Sequence, residues 1–443
     1  MFLQINKILS VQLLFLVPFI VYSQSPITTY YDSTGHVNEK YSVLAEDPSK
    51  KVGEYVKYFP SGELALKGNY EQGLKEGVFI EYYPSGIKRR EIYFDQGHIH
   101  GPLRVYDTTG VLIQLAEFEY DTIVGTVVQY YGNGTIRNES EFIKGIPHGF
   151  TRDYYPSGQI KEIIEFKDGL QDGKNTTYYK DGILESEAFY NKGLLDGEFK
   201  TYYPNGQMNT MYHNKSGQKT GGFKTFNDAG ILILEGFFLD GKLDGITTAY
   251  HDNGRIKSQN HYKNGIRVGE SYYFNEKGKQ IKSITFTQDG LNQHITEYYS
   301  NGKVRAEKTI KDDRPEGQWN YYYKNGRDSL IELYTTGKLN GIRISFDKKG
   351  NIEVEQPYVF GLITGVVKKY YPSGSLLEEI NYKSHRKHGT YKSYYDNGQT
   401  EWEGEYAANK KVGEWIYFNR EGAIEKKQIF ENNKLMKELN TSN

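Results

Sequence analysis

Two pairs of histidines are the residues of this chain whose type and spacing come closest to a metal site. His98 and His100 lie two positions apart after Gly97, and His385 and His388 lie in an equivalent segment. A zinc site takes three or four ligands, which a second shell of hydrogen bonds orients. Neither pair has an obvious third ligand nearby in the sequence. We therefore interpret these histidines as solvated loop residues and predict no metal site.

Residues 217–222, with the sequence GQKTGG, are the nearest approach to a phosphate-binding loop. In such loops the lysine follows a glycine, and the loop leads from a strand into a helix. Here Lys219 follows Gln218, and its surroundings are typical of a connection between two strands. We therefore predict no phosphate site and no cofactor.

Glutamates recur in one column of the sequence at multiples of 24 residues. The column contains Glu91, Glu139, Glu187, Glu235, Glu307, Glu355, Glu379 and Glu403. General acid–base catalysis needs two carboxyl groups in different environments, whereas a repeated column offers the same environment each time. We interpret the column as solvated charges on a strand face, or as ladders with basic neighbours. No catalytic residue and no enzyme activity are predicted.

A column of tyrosines with the same spacing is the strongest candidate for a binding surface. Its members are Tyr83, Tyr131, Tyr155, Tyr179, Tyr203, Tyr299, Tyr323, Tyr371 and Tyr395. Exposed aromatic side chains bind sugars, peptides or partner surfaces. The alternative is that neighbouring rings stack on each other and stiffen the sheet. The column lapses at Asn227, His251 and Asn275, which suggests two segments of surface.

The composition indicates a β protein punctuated by glycine. The chain has 443 residues, of which 48 are glycine and 41 are tyrosine. Glycine disfavours helices and tyrosine suits half-buried strands. The absence of cysteine excludes disulfides and thiolate metal sites. The 55 basic and 56 acidic residues balance, so no overall charge favours nucleic acid or acidic lipid.

The N-terminus predicts export. Residues 1–23 hold an almost wholly apolar run, and Val21 and Ser23 fit a signal-peptidase site, so we place cleavage before Gln24. The alternative is a membrane anchor, but the run is short for a bilayer span and Pro18 interrupts it. No later segment is apolar enough to span a membrane. The predicted location is the periplasm, the cell surface or the medium.

Glycine marks a repeat of 24 residues. One series runs from Gly62 to Gly422 without an insertion, and a second series that includes Gly53 has the same spacing. A third column, which starts at Gly73, also contains Asp121, Asp289, Asp313, His385, Asn409 and Asn433. Asp, Asn and His are the residues that best tolerate positive φ. The third column therefore predicts a left-handed backbone position, and we place all three columns in turns.

Each 24-residue unit reads as a β-hairpin, and two geometries compete for the Pro-Ser-Gly turn at 60–62. One is a two-residue type I′ turn; the other is a three-residue turn, type I followed by a left-handed glycine. The three-residue turn places Tyr58 opposite Leu64, with both on one face together with Tyr70. The two-residue turn separates Tyr58 from Leu64. Because these are the most regular apolar columns, we predict the three-residue turn, with one packed face and one wet face.

The predicted fold class is therefore all-β, an elongated, twisted single-layer antiparallel sheet of sixteen 24-residue β-hairpin repeats. The predicted organisation is a signal peptide at 1–23, a degenerate N-terminal capping hairpin at 24–52, the array at 53–436 and a C-terminal tail at 437–443. A single hairpin is only marginally stable, so stability should come from contacts between neighbours.

The most regular units carry a glycine, two adjacent aromatics, a proline–glycine turn, a glutamate and a further aromatic. One example consists of Gly77, Tyr82, Tyr83, Pro84, Gly86, Glu91 and Phe94. This unit resembles the MORN repeat, and more closely the variant in bacterial YwqK-type antitoxin-like proteins. The resemblance covers residues 53–436. It implies MORN-like hairpins in an elongated single-layer sheet and a role in binding proteins or membrane surfaces. The antitoxin label implies neutralisation of a partner toxin.

These observations predict a non-catalytic, exported repeat scaffold that mediates protein–protein interaction. One alternative is an envelope glycan-binding module that uses the tyrosine column. Another is an immunity or antitoxin-like protein that neutralises a partner toxin. The expected partner is a protein, or else an envelope glycan; no nucleic-acid partner is expected, and no integral membrane span remains after signal cleavage.

Overall fold

The computed structural model describes residues 23–31 and 35–440, and secondary structure in these ranges consists of β-strands and turns. The predicted signal peptide lies outside the described residues except for Ser23, and so do the last three residues of the predicted tail. Within the described ranges, no helix has the length and apolar character needed to cross a membrane.

By its contacts the chain divides into two units, one ending at Leu194 and the other beginning at Leu195. In the first unit each strand pairs antiparallel with the next one in sequence. Its strands are β1 Gln24–Tyr30, β2 Val37–Leu44, β3 Asp47–Tyr58, β4 Leu64–Glu71, β5 Leu74–Tyr82, β6 Lys88–Asp95, β7 His98–Tyr106, β8 Leu112–Glu119, β9 Thr122–Tyr130, β10 Ile136–Ile143, β11 Ile146–Tyr154, β12 Ile160–Lys167, β13 Leu170–Tyr178 and β14 Leu184–Asn191.

The second unit repeats this antiparallel pattern. Its strands are β15 Leu194–Tyr202, β16 Met208–Lys215, β17 Gln218–Phe226, β18 Leu232–Leu239, β19 Lys242–Leu243, β20 Gly245–Tyr250, β21 Ile256–Lys263, β22 Ile266–Phe274, β23 Gln280–Phe286, β24 Asn292–Tyr298, β25 Val304–Lys311, β26 Arg314–Tyr322, β27 Asp328–Thr335, β28 Lys338–Leu339, β29 Gly341–Phe346, β30 Ile352–Val359, β31 Leu362–Ile363, β32 Gly365–Tyr370, β33 Leu376–Lys383, β34 Arg386–Tyr394, β35 Thr400–Ala407, β36 Lys410–Phe418, β37 Ile424–Glu431 and β38 Lys434–Asn440. The two-residue strands β19, β28 and β31 are the starts of β20, β29 and β32, each separated from its continuation by one residue.

The Pro-Ser-Gly turn has the predicted three-residue geometry. The amide of Gly62 donates to the carbonyl of Phe59 at 2.9 Å, and the amide of Phe59 donates to the carbonyl of Glu63 at 2.8 Å. Gly62 has a φ of 99°, in the left-handed region. A type I turn followed by a left-handed glycine makes these bonds, and the prediction is confirmed.

The turn between one hairpin and the next is a two-residue turn in which both residues have positive φ. Gln72 has a φ of 49° and Gly73 a φ of 89°, as a type I′ turn requires. The non-glycine members of this column, Asp121, Asp313, His385, Asn409 and Asn433, have φ between 59° and 71°. The predicted left-handed position is confirmed for these residues.

Asp289 is the exception, and the prediction of positive φ is wrong there. Gly290 takes the left-handed conformation instead, with a φ of 74°. Its amide donates to the carbonyl of Thr287 at 2.9 Å, which lengthens the turn. The second glycine series has Gln293 at this point, and β24 pairs with β23 without a register shift. The loss of the glycine in the strand thus accompanies a different turn.

The glycines of the second series lie within strands or at the first residue of a strand, so their predicted place in turns is wrong. Gly77 lies in the middle of β5 with a φ of 69°. The pairing of β4 with β5 passes from Lys67↔Ile80 to Asn69↔Glu76, so β5 carries two extra residues at this point. Glycine lets the backbone adopt the left-handed conformation of such a bulge at low cost.

A second bulge decides which side chains share a face. Tyr58 pairs with Leu64 as predicted, but the next pair is Lys57↔Leu66, which leaves Ala65 as an extra residue. Beyond this bulge the alternation of faces is reversed. The predicted common face of Tyr58, Leu64 and Tyr70 is therefore wrong, because Tyr70 lies on the opposite face from Tyr58.

The buried side of the sheet, here called the aromatic face, carries the columns of Tyr55, Gly68 and Tyr70. In the first unit, rings contact each other from Tyr55 to Tyr70, Phe79 and Phe94 at centroid distances of 5.5, 5.5 and 5.1 Å. Phe79 is only 1% exposed. In the second unit, Trp415 is 1% exposed and lies 5.0 Å from the ring of Tyr391.

The other side, here called the glutamate face, carries the columns of Tyr58 and Lys67, the latter being the glutamate column in later hairpins. Glu91, the counterpart of Lys67, pairs with Arg104 across β6 and β7. Tyr106, the counterpart of Tyr58, lies two residues along β7 on the same face. Half-buried polar side chains thus line this face.

Candidate interaction surface

The predicted tyrosine column, here called the tyrosine stripe, lies at the three-residue turns. Each tyrosine follows the last residue of a strand. In eight of these turns the tyrosine donates its hydroxyl to the main-chain carbonyl 23 residues later. That carbonyl belongs to the last residue of the corresponding strand in the next hairpin. These bonds are Tyr83–Tyr106 at 2.9 Å, Tyr131–Tyr154 at 2.7 Å, Tyr155–Tyr178 at 2.8 Å, Tyr203–Phe226 at 3.0 Å, Tyr299–Tyr322 at 2.7 Å, Tyr323–Phe346 at 2.7 Å, Tyr371–Tyr394 at 2.8 Å and Tyr395–Phe418 at 2.8 Å. Tyr179 occupies the same position of its turn.

These bonds make the tyrosine stripe part of the structural framework of the sheet, that is, of the side chains that link one hairpin to the next. The rings are half-buried, and the hydroxyls that a ligand would use already bond the backbone. Adjacent turns are therefore held together by hydroxyl–carbonyl bonds, whereas the sequence suggested stacking of the rings. Tyr395 also contacts the hydroxyl of Tyr417 at 2.9 Å, and burial together with that contact raises its pKa above the ordinary value.

Asparagines in the same turns form a second ladder. Their amide groups donate to the main-chain carbonyl 23 residues later, as in Asn133–Pro156 at 3.1 Å and Asn253–Glu276 at 2.8 Å. The same bond joins Asn205 to Asp228, Asn301 to Lys324, Asn325 to Lys348 and Asn397 to Arg420. Each asparagine Oδ1 also accepts a bond within its own turn, as from the amide of Thr135 to Asn133. The turn edge is thus fixed within each unit.

The opposite edge has an equivalent ladder from acidic side chains. Asp172 accepts a bond from the amide of Lys192 at 3.1 Å, and Glu76 accepts one from the amide of Gln96 at 3.0 Å. In the second unit the same bond joins Asp196 to Ser216, Asp244 to Asn264 and Glu316 to Thr336. Carboxylates with these partners are structural groups of the two-residue turns.

The histidine pairs lie at this same edge. Nδ1 of His98 is 2.6 Å from Oδ2 of Asp121, and this contact is the main cause of a lowered pKa of the Asp121 carboxyl. The ring of His100 lies 4.9 Å from the ring of Tyr120. The amide of Ile363 donates to Nδ1 of His385 at 3.3 Å. These contacts join the histidines to residues of the two-residue turns or of the strands beside them.

Lys219, from the segment compared with a phosphate loop, lies on the aromatic face. Its Nζ is 4.3 Å from the ring centroid of Tyr212 and 5.4 Å from that of Phe238. Lys51 and Lys411 are placed in the same way over rings near the two ends of the described chain. A cation over an aromatic ring is attracted by the negative face of the ring.

The glutamate column accepts hydrogen bonds from tyrosines of the following hairpin. Tyr154 donates to Glu139 at 2.6 Å, and Tyr250 donates to Glu235 at 2.6 Å. The same bond joins Tyr106 to Glu91, Tyr322 to Glu307, Tyr370 to Glu355 and Tyr394 to Glu379. The bond to Glu235, with burial, raises the pKa of Tyr250 to about 12. Burial, with the bond to Glu139, raises the pKa of Tyr154 to about 12.

The lapses in the tyrosine stripe have a structural consequence in the second unit. At Asn275 the side-chain Oδ1 accepts bonds from the amides of Lys277 and Lys279, both at 3.0 Å, so it folds back on its own turn. At His251 the ring Nε2 contacts the carbonyl of Phe274 at 2.9 Å, which keeps the link to the next turn.

A cleft of about 810 Å³ lies at these turns. Its lining includes His251, Lys257, Phe274, Asn275, Lys279 and Ile281. The sequence showed the lapses but did not point to the lysines that follow them. The only signal was their position two and four residues after Asn275, within the turn itself.

The exposed positions of the glutamate face differ from one hairpin to the next. The column of Glu54 has exposed side chains at Thr126, Phe150 and Lys174 in the first unit, and exposed residues at Gly222, Ile246, Glu270, His294, Gln318, Ile342, Val366, Thr390 and Glu414 in the second. Val78, Pro102 and Glu198 of the same column are half-buried. Ile246 is 59% exposed and Ile342 is 53% exposed. The turn tyrosines, turn asparagines and edge carboxylates that link the hairpins recur along the chain, whereas the exposed residues of this column vary.

Some solved structures show a distant likeness to this chain. They include a crystal structure of TcdB2-TccC3-Cdc42, 14% identical over 92% of this chain and 28% of that chain, with a TM-score of 0.15. A crystal structure of TcdB2-TccC3 is 10% identical over 92% and 27%, with a TM-score of 0.15. A Photorhabdus luminescens Tc holotoxin pore is 12% identical over 93% and 26%, with a TM-score of 0.14.

The chain thus spans less than a third of the length of each of these structures. At such TM-scores the likeness supports no conclusion about fold or function. No curated protein matches the chain.

The family comparison agrees with the hairpins and turns described above. The model described as "MORN repeat variant" matches residues 51–72, 75–96, 147–168, 171–192, 195–213, 243–264, 294–312, 363–384 and 387–407. The matched segments contain the strand–turn–strand units with the turn geometry described above. With nine matched repeats spread between residues 51 and 407, the chain belongs to the MORN-variant repeat family.

Proposed function

We propose that this protein is a non-catalytic, exported scaffold that binds protein partners through the exposed residues of its glutamate face. The observation that carries the proposal is the division between repeated and varied positions. Turn tyrosines, turn asparagines and edge carboxylates make the same bond in hairpin after hairpin. Repeat scaffolds with a fixed frame present extended binding surfaces of this kind.

The varied positions supply the contacts that a protein partner needs. On the second unit, Ile342 is 53%, Leu333 40% and Val366 40% exposed. Ile342 pairs with Pro357 across β29 and β30, which adds a further apolar side chain beside them. Apolar residues that are exposed together on a polar face favour contact with another protein.

The proposal of export rests on the apolar run and the small residues at 1–23. It is tested by expressing the full chain with a C-terminal epitope and separating cytoplasm, periplasm, membranes and medium. Recovery of a shortened chain beginning at Gln24 outside the cytoplasm is the expected result. A chain that keeps residue 1 and stays in the cytoplasm would contradict export.

Partner binding is tested by cross-linking the exported chain in cells and identifying what co-purifies. Ile342→Asp together with Val366→Asp should abolish capture of the partner that the wild-type chain retains, because charge on these side chains opposes burial in an interface. Phe360→Asp is the matched control, because Phe360 is 60% exposed but lies in the two-residue turn between β30 and β31, outside the proposed surface. Equal capture by all three chains would contradict binding through this face.

A further inference from the structure

The cleft of about 810 Å³ spans three successive turns of the second unit. Phe274 and Ile281 supply its apolar lining, and Ile281 is 41% exposed. The column residue at its centre is Asn275, where regular turns carry a tyrosine. The cleft therefore lies where the shorter side chain of Asn275 replaces a tyrosine of the tyrosine stripe.

The missing tyrosine leaves an acceptor in place. In the regular turn that follows, the hydroxyl of Tyr299 donates to the carbonyl of Tyr322 at 2.7 Å. The equivalent acceptor for residue 275 is the carbonyl of Tyr298. Asn275 uses its Oδ1 within its own turn, and among the described residues no side chain from the preceding turn bonds this carbonyl.

Three lysines give the cleft a positive charge. Lys257, Lys277 and Lys279 line it, and Glu276 is the single acidic residue of the lining. In the described part of the chain, none of the three lysines lies within salt-bridge distance of a carboxylate. The Nζ of Lys279 instead donates to the carbonyl of Ser300 at 2.9 Å. The net charge of this lining is thus about +2, counted from its side chains at neutral pH.

We propose that this cleft binds an acidic segment of a protein partner and that an aromatic side chain of the segment occupies the place of the missing tyrosine. The inference rests on the proposed scaffold function and names the chemistry of the partner. The aromatic ring packs on Phe274 and Ile281. A phenolic hydroxyl, where the ring has one, donates to the carbonyl of Tyr298. Flanking carboxylates pair with Lys257 and Lys277.

The test is a fluorescence-polarisation titration of the full chain with a fluorescein-labelled Asp-Glu-Tyr-Glu-Asp peptide. Saturable binding is expected, and raised salt should weaken it because exposed charges are screened. Replacing the peptide tyrosine by alanine should weaken binding about tenfold or more, as loss of a buried aromatic anchor does. The peptide Lys-Lys-Tyr-Lys-Lys should not bind.

Asn275→Tyr restores the regular column, fills the cleft and should weaken binding of the acidic peptide about tenfold or more. Asn419→Tyr is the matched control, because Asn419 accepts the same bonds within its turn from Glu421 and Ala423 but lies outside the cleft. Lys257→Ala with Lys277→Ala should weaken binding without a change of thermal stability.

Absence of saturable binding to the wild-type chain, or equal binding by Asn275→Tyr, would overturn the inference. Thermal unfolding shows whether Asn275→Tyr is folded; a stability at or above that of wild type is expected. Capture of a cellular partner that Asn275→Tyr leaves unchanged would overturn the cleft site and leave the scaffold function standing. Peptide binding by the cleft with no cellular partner captured would support the cleft site and contradict the scaffold function.

Discussion

Tyr250 donates its hydroxyl hydrogen to Oε1 of Glu235, 15 residues earlier, at 2.6 Å. The two residues lie on β20 and β18, where Glu235 pairs with Thr248 two positions from the tyrosine. Both side chains are half-buried. A hydroxyl bond to a carboxylate is stronger than one between neutral groups. Because the same relationship recurs along both units, it contributes repeatedly to the stability of the glutamate face.

Tyr250→Phe is expected to lower the free energy of unfolding by about 1.5–2 kcal/mol, the lower part of the range for bonds to charged groups, because the site is half-exposed. The measurement is urea unfolding. Tyr298→Phe is the matched control, since that hydroxyl contacts the neutral Ser283 at 3.3 Å, and a smaller loss is expected. If Tyr250→Phe costs as much in a Glu235→Gln background as in the wild-type chain, the bond does not stabilise the fold.

The stability of the chain should fall in strongly alkaline solution. The pKa values of Tyr154, Tyr250, Tyr322, Tyr370 and Tyr394 are each raised from 10.0 to about 12 by burial and by hydrogen bonds to glutamates. The folded state therefore holds these protons more tightly than the unfolded state. Their contribution is complete below pH 10 and is lost as the pH rises through 12.

Phenolate absorbance measured against pH tests this expectation. Part of the tyrosine titration should lie well above the ordinary range in the folded chain and return to it in urea. Tyr250→Phe should remove one titrating group from the upper range. A single titration at the ordinary pKa in both states would show that the glutamate bonds do not hold these protons.

Loss of one hydroxyl in the turn stripe should weaken the link between adjacent hairpins. Tyr155→Phe removes the bond to the carbonyl of Tyr178 but keeps the ring, and we expect a loss of about 1 kcal/mol. The converse change is available in the same unit. Phe59→Tyr adds a hydroxyl at the equivalent position and should stabilise the chain by about 0.5–1 kcal/mol through the carbonyl of Tyr82.

Both variants are measured by urea unfolding, with hydrogen exchange at the two turns as a local readout. Faster exchange near Tyr178 in Tyr155→Phe and slower exchange near Tyr82 in Phe59→Tyr are expected. A loss of stability in Phe59→Tyr would show that the hydroxyls of the tyrosine stripe do not stabilise each hairpin in the same way.

Glycines that lie under aromatic rings should not tolerate a methyl group. A Cβ on Gly404 would overlap the indole of Trp415, whereas a Cβ on Gly222 would meet only the carbonyl of Gly236 at 3.9 Å. Neither glycine has positive φ. Gly404→Ala should lower the free energy of unfolding by about 1–3 kcal/mol through overpacking.

Gly222→Ala is the control for the change of backbone entropy, and it should be neutral or stabilising by up to about 1 kcal/mol. Thermal unfolding of the two variants beside the wild-type chain checks the pair. Equal effects of the two substitutions would indicate that Trp415 does not pack closely on Gly404.

The period, the hairpins and both turns follow from local chemistry and are therefore visible in the sequence. A left-handed position accepts glycine, asparagine, aspartate or histidine, and Asp121 and His385 mark it as clearly as a glycine does. The turn at 60–62 is set by its own three residues and the pairing that flanks them. Asp289 departs from the pattern at the one place where the neighbouring strand has Gln293 instead of the glycine of the bulge.

The sequence by itself determined the β-hairpin repeat and its left-handed positions, because these depend on residues close together in the chain. Only the tertiary structure decided the faces and the role of the tyrosines. Ala65 has no feature that marks a bulge, yet its extra place in β4 moves Tyr70 to the face opposite Tyr58. Tyr155 bonds a main-chain carbonyl, an acceptor that every residue type carries and that no sequence pattern can single out.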